Sequence, residues 1–209
     1  MKYKLFTLFF ILALTHAALS ADKDANGILQ QLKSTYDKYS SIQADFTQTF
    51  LWKLTEEEHT LSGKIWIQKG EKFKIDTPDN LVVNDGKALF TLNRNNQQVI
   101  INNATKGSAN NPILKDFIDK YIRDYRAEIV KDDKDAYELK LVAGSEDEFI
   151  REIILTINKK TFFLSSVRQL DVNENTTIYQ VENLQTNIPL TAEDFKIPGM
   201  DQYEQVDLR

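Results

Sequence analysis

Most of this chain alternates. Apolar and polar residues change places at every step through about ten segments, and a period of two is the signature of a strand with one wet and one buried face. The first long segment sets the pattern: Ile42, Ala44, Phe46, Phe50, Trp52 and Leu54 alternate with Gln43, Asp45, Thr47, Thr49 and Lys53. Gln48 is the one break in the apolar row. Leu61, Gly63, Ile65 and Ile67 repeat the pattern, followed by Phe73 and Ile75, Leu81–Val83, Ala88–Leu92 and Gln97–Ile101. After an interruption it resumes at Glu128–Lys131, Tyr137–Val142, Phe149–Ile157, Phe162–Leu170 and Thr177–Asn183. Short polar turns join these runs. Asp85–Gly86 is the strongest of them and predicts a type I′ hairpin turn.

Two stretches have helical spacing instead. Ile28, Leu29, Leu32, Tyr36 and Tyr39 share one face over Asn26–Tyr39, with Asn26 as the expected N-cap. Ile113, Leu114, Phe117, Ile118, Tyr121 and Ile122 share a face in a second helix that starts at Pro112, with Asn111 as cap. Between the last strands and the C-terminus, Ile188–Pro198 reads as an irregular tail anchored by Phe195. A sheet of about ten antiparallel strands must curl or close. A curled sheet has one apolar concavity, and two amphipathic helices need an apolar surface to cover. The expected fold is therefore mainly β with α: an unclosed antiparallel half-barrel with helices laid across its mouth.

Residues 1–20 stand apart from this pattern. Lys2 and Lys4 precede an apolar run over Leu5–Leu14, and small residues cluster at Ala17, Ala18, Ser20 and Ala21. That is the layout of a secretory signal peptide, and the run is shorter than the roughly 20 residues that span a bilayer. The expectation is a signal peptide over 1–20 and one domain over 21–209. Its removal takes away two Lys and no acid, which moves the formal charge from −5 to −7. A chain this acidic is no nucleic-acid binder. The absence of Cys excludes disulfide frameworks, zinc ribbons and a lipidated N-terminus beyond the signal.

Candidates for chemistry are few. His59 is the one His beyond the signal, in an acidic turn with Glu56–Glu58, and no other residues complete a metal set or a nucleophilic triad around it. The acids Asp132, Asp133 and Asp135, and Glu146, Asp147 and Glu148, fall in predicted turns, where solvation accounts for them. A carboxylate-dependent hydrolase is the enzymatic alternative that these clusters leave. The prominent feature is apolar. A plain core and an apolar pocket share the same alternation, so the pattern alone does not decide between them.

Short motifs in order favour the pocket. Ile42–Gln48 (IQADFTQ) is similar to the "adFtQ" segment of the LolA family of periplasmic lipoprotein carriers. Gly63–Ile67, Phe73, Asp85–Phe90, Gln98–Val99 and Asn111–Leu114 resemble the family's later motifs in the same order. The resemblance implies a non-enzymatic, cofactor-free monomer in the periplasm. Such a carrier takes acylated lipoproteins from an inner-membrane ABC transporter of LolCDE type and passes them to an outer-membrane receptor of LolB type. It implies an acyl-chain cavity lined by Phe46, Phe50, Ile65, Phe73, Phe90, Ile113, Leu114, Phe117 and Ile118. The family's Arg-Pro, whose Arg pins the lid, is replaced here by Lys69–Gly70, which makes Lys69 the expected latch; the Trp of the family's F-x-W is Ile75. Related half-barrels, the envelope-stress sensor RseB and the receptor LolB, are the alternatives. RseB carries a further domain for which this chain lacks the length, and LolB needs a lipidated Cys.

Overall fold

A computed structural model of the chain describes residues 24–69, 72–104 and 115–209, without the side chains of 115–117. The expected signal peptide, Gly70 and the start of the second helix lie outside the described residues.

The first helix, α1, spans Ala25–Asp37. Its cap is Asp24 and not the expected Asn26: Asp24 has extended backbone, and its carboxylate accepts from the Gly27 N–H. The apolar stripe is real, with Ile28, Leu29 and Leu32 fully buried. The helix stops before Tyr39, which with Tyr36 packs on the Phe163 ring at centroid distances of 5.5 and 5.0 Å.

The strands are β1 (Ser41–Leu51), β2 (Glu58–Gln68), β3 (Lys72–Asp76), β4 (Asn80–Asn84), β5 (Ala88–Asn93) and β6 (Gln98–Asn103). Helix α2 is described over Lys115–Asp124. Then come β7 (Tyr125–Asp132), β8 (Ala136–Ala143), β9 (Ile150–Asn158), β10 (Leu164–Asp171), β11 (Thr176–Thr186) and β12 (Glu204–Asp207). They form one sheet in the order β12-β6-β5-β4-β3-β2-β1-β11-β10-β9-β8-β7. All pairings are antiparallel except β12 with β6. The edges β12 and β7 are not bonded to each other, so the barrel is unclosed, as the alternation predicts. The parallel β12 is an addition that the sequence pattern does not announce. The Asp85–Gly86 turn also differs from expectation. Only Gly86 has positive φ, at 90°, whereas a type I′ turn needs both central residues there.

One face of the sheet carries the main core. Across β1, β2, β3 and β4, Ala44, Ile65, Ile75 and Val82 stand opposite one another and so share that face. They join Ile28, Leu29 and Leu32 of α1, Ile118 and Tyr121 of α2, and Leu139, Leu155 and Ile157. Both helices therefore cover this inner face. Close approach fixes one residue of it. A Cβ on Gly63 would lie 2.5 Å from the Asp76 carbonyl oxygen and 2.8 Å from the Phe46 ring.

A second core lies on the opposite face, which corrects the expectation that this side of the sheet is wet throughout. At β4 to β6 the apolar residues Val83, Phe90 and Ile101 are in register with each other and out of phase with Val82. They pack with Leu81, Leu92 and Val99 under Phe195 and Ile197 of the C-terminal segment. Phe195 is the anchor the sequence predicts, 1% exposed, in a 3₁₀ turn over Ala192–Phe195. Asp194 starts that turn by accepting from the Thr191 N–H at 2.7 Å and its hydroxyl at 2.9 Å.

Candidate functional site

At one end of the inner face the core opens into a cavity of about 320 Å³. Register explains its walls. Phe50 of β1 stands opposite Thr177 of β11, and Thr177 opposite Gln169 of β10, so all three point inward. Tyr179 lies two residues further on the same face, and Ile153 of β9 stands opposite Gln169. Tyr121 of α2 and Tyr125 of β7 close the far side, with ring centroids 5.9 Å apart at a near-perpendicular angle. Lys120, Glu148 and Phe149 form the mouth.

The loops around this mouth expose an apolar rim. Trp52 and Leu54 follow β1, Phe149 precedes β9, and Val172 follows β10; their exposures are 41, 94, 57 and 42%. Trp52 rests edge-on against Phe50 at 4.2 Å. Large apolar side chains ringing a cavity are informative in a way that scattered ones are not.

Helix α2 is fastened over the cavity by charge. Lys120 Nζ bonds Glu148 at 2.6 Å, tying the helix to the loop before β9. Lys33 pairs with Asp119, tying it to α1, and the hydrogen bond to Asp119 raises the Lys33 pKa. Inside, burial dominates. It pushes the Tyr121 hydroxyl well above its ordinary pKa and the Tyr179 hydroxyl up to about 12. Burial also takes Tyr125 to about 12, with its hydroxyl donating to the Ile150 carbonyl at 3.0 Å.

The expected site residues fall into five groups. Phe50 lines the cavity. Phe46, Ile65, Phe73 and Ile118 are buried in the same inner core, between 0 and 6% exposed. Phe90 is on the opposite face, in the second core, because the apolar phase switches at β4; its assignment to the cavity is corrected. Ile113, Leu114 and the Phe117 side chain lie outside the described residues. The expected latch, Lys69, is exposed, its N–H donating to the Ser40 carbonyl at 2.9 Å. It follows β2 at the end where Gln68 pairs with Ser41, whereas the cavity sits at the end where His59 pairs with Phe50. Sequence reasoning missed Tyr121, Tyr125, Ile153, Gln169 and Tyr179 as cavity residues. Tyr121 was visible on the helical stripe. Gln169, a polar residue at a buried inner position, was a signal of the same kind as Gln48.

The acidic cluster at Asp132–Asp135 is structural. Asp133 accepts from the N–H groups of Ala136 and Asp135 at 2.8 and 2.9 Å, which closes the β7–β8 turn and holds its pKa down at about 2. Lys131 and Lys159 pair with Asp133 and Asp132. Among the described residues, no three His, Cys, Asp or Glu side chains converge on a metal position, and no helix is long and apolar enough to cross a membrane.

Two solved structures share this fold. An uncharacterised conserved protein of Thermus thermophilus superposes with a TM-score of 0.58 at 17% identity, over 85% of this chain and 98% of the other. The Mycobacterium tuberculosis lipoprotein LppX gives 0.50 at 8% identity, over 80% and 97%. At these identities the likeness is one of fold. An uncharacterised protein of Methanocaldococcus jannaschii is 25% identical over 154 residues, which are 70% of this chain and 45% of that longer relative. The model of the outer membrane lipoprotein carrier protein LolA matches residues 37–198, which run from the end of α1 to the segment that covers the second core. With its unclosed sheet, its covering helices and that match over most of its length, the chain belongs to the LolA family.

Proposed function

We propose that this chain is a periplasmic carrier of acylated lipoproteins, exported by the signal peptide of residues 1–20. In this reading it accepts cargo from an inner-membrane ABC transporter of LolCDE type and delivers it to a LolB-type receptor. The acyl chain enters between α2 and the sheet, over the floor made by Phe46, Ile65 and Phe73, with Phe50 at the wall and Ile113, Leu114, Phe117 and Ile118 on the lid. The carrier is a monomer, and its chemistry is binding and release.

The observation that carries this reading is the cavity itself, walled by aromatic rings, rimmed by exposed apolar loops and covered by a helix that ion pairs fasten. Burying a methylene is worth about 0.8 kcal/mol, so a chain of about fifteen brings ~12 kcal/mol. A carrier must match most of that and still let go. A lid that returns to the sheet when the cargo leaves competes with the ligand and lowers the net affinity.

The test is uptake. Phe50→Asp places a charge in the cavity wall at a half-exposed position, so the fold should survive. The variant is expected to melt within a few degrees of the parent and to lose binding of an apolar fluorescent dye and of acylated peptide. Equal dye binding by parent and variant, or no co-purifying lipid in mass spectra of the exported parent, would overturn the reading.

A further inference from the structure

The cavity is not lined like a hydrocarbon slot. Tyr179 is 6% exposed, and its hydroxyl has no hydrogen-bond partner among the described residues. Gln169 is 9% exposed; its amide reaches the Tyr121 hydroxyl at 3.4 Å, and its carbonyl oxygen has no partner among them. The Thr177 hydroxyl, directly across the strand pair from Gln169, has none either. All three line the cavity. Gln48, the residue that breaks the apolar row of β1, stands opposite Tyr179 and extends the polar row by one strand.

Buried polar groups are nearly always paired, and each one left unpaired costs stability. A polar cavity of this size holds water when nothing else fills it. Hydrocarbon that displaced this water would leave the buried Tyr179 and Gln169 groups dry and would cover the half-buried Thr177 hydroxyl. A ligand head that reproduces the bonds displaces it without that loss. The orphans include donors and acceptors: two hydroxyls, which do both, and one carbonyl oxygen.

The charges nearby narrow the choice. Lys120 and Glu148 neutralise each other at the mouth. Asp171, 8% exposed, has its Oδ1 filled by the N–H groups of Asn173 and Asn175 and its Oδ2 by the Asn175 amide. Among the described residues the lining is therefore one negative charge in excess, with no free cation, and that opposes a carboxylate head.

From this geometry we propose that the cavity selects the head of its lipid: Tyr179, Gln169 and Thr177 bind the uncharged ester and hydroxyl groups of an acylglycerol. The proposal rests on the carrier reading and adds head-group choice to it. Thr177 and Gln169 stand in register between Phe50 and Ile153, so the glycerol ester sits among the polar groups while the chain packs on those two apolar side chains.

Three probes of equal chain length test it on the purified chain, by displacement of a bound apolar dye: monododecanoylglycerol, dodecanoate and dodecane. The acylglycerol is expected to bind about tenfold more tightly than either of the others. Tyr179→Phe and Gln169→Leu should each lower acylglycerol affinity three- to tenfold, leave dodecane affinity unchanged or higher, and leave the melting temperature unchanged or raised. A merely structural role would move the melt and all three affinities together. Equal affinities for the three probes, tighter binding of dodecanoate, or variants that bind acylglycerol as the parent does would overturn head-group selection while leaving the carrier reading intact. Failure of the parent to bind the dye or any probe would overturn both.

Discussion

Gly63 is where a single atom decides the packing of three strands. Its α-hydrogen faces the Asp76 carbonyl and the Phe46 ring at distances that leave no room for a methyl group. Part of that obstruction is backbone, which cannot rotate away. Gly63→Ala must therefore push β3 off β2 or displace Phe46 from the inner core. Either costs on the order of 1–3 kcal/mol, the usual range for overpacking. Urea unfolding should show the midpoint falling with an unchanged slope. An unaltered midpoint would mean that the strands yield more cheaply than this geometry implies. Alternation by itself puts Gly63 on the inner face, but only the register with Phe46 and Asp76 shows why no side chain is tolerated there.

At the scale of elements, α2 is the part that covers the cavity. Among the described residues its buried side chains are Ile118 and Tyr121, and its middle is held on two sides by Lys33–Asp119 and Lys120–Glu148. Partly exposed ion pairs contribute about 0–1 kcal/mol each and weaken in salt. Such a fastening suits a lid, since it fixes position at small cost in reopening. Lys120→Met should leave the melting temperature nearly unchanged and speed dye release by two- to fivefold, and added salt should do the same to the parent. Lys69→Leu is the companion variant for the latch implied by family resemblance. A larger change in release rate at Lys69 than at Lys120 would place the latch at the other end of the sheet. The helix was legible in the spacing of its apolar residues. Its fastening was not, because Lys33 and Glu148 belong to segments far apart in sequence.

The whole molecule has two cores on opposite faces of one sheet, and they should separate by mutation. The inner core sits beneath the helices and continues into the cavity. The outer one holds the C-terminal segment onto β4–β6, with Phe195 at its centre. Phe195→Ala removes a fully buried ring and should cost about 3–5 kcal/mol. Because that ring lies on the face away from the cavity, dye affinity of the folded variant should match the parent's within twofold. Loss of binding at temperatures where circular dichroism still reports a folded sheet would show that the two faces are coupled.

Local pattern was enough to give the strand count closely, the wet and dry faces of most strands, the stripe of α1, the described part of the stripe of α2 and the Phe195 anchor. Each of these is a short period or a single large apolar residue, so neighbours in the chain suffice to show it. Cavity against core was beyond the reach of pattern, since both demand the same apolar face and differ only in whether the covering element fills the space. Phe90 marks the same boundary. Its strand is apolar on both sides, Leu89 inward and Phe90 outward, and only pairing with Val83 and Ile101 assigns it to the second core. The cavity's polar row is likewise a product of long-range pairing. Gln48, Thr177, Tyr179 and Gln169 come from three strands, and they become neighbours only because β11 returns from the far end of the chain to lie between β1 and β10.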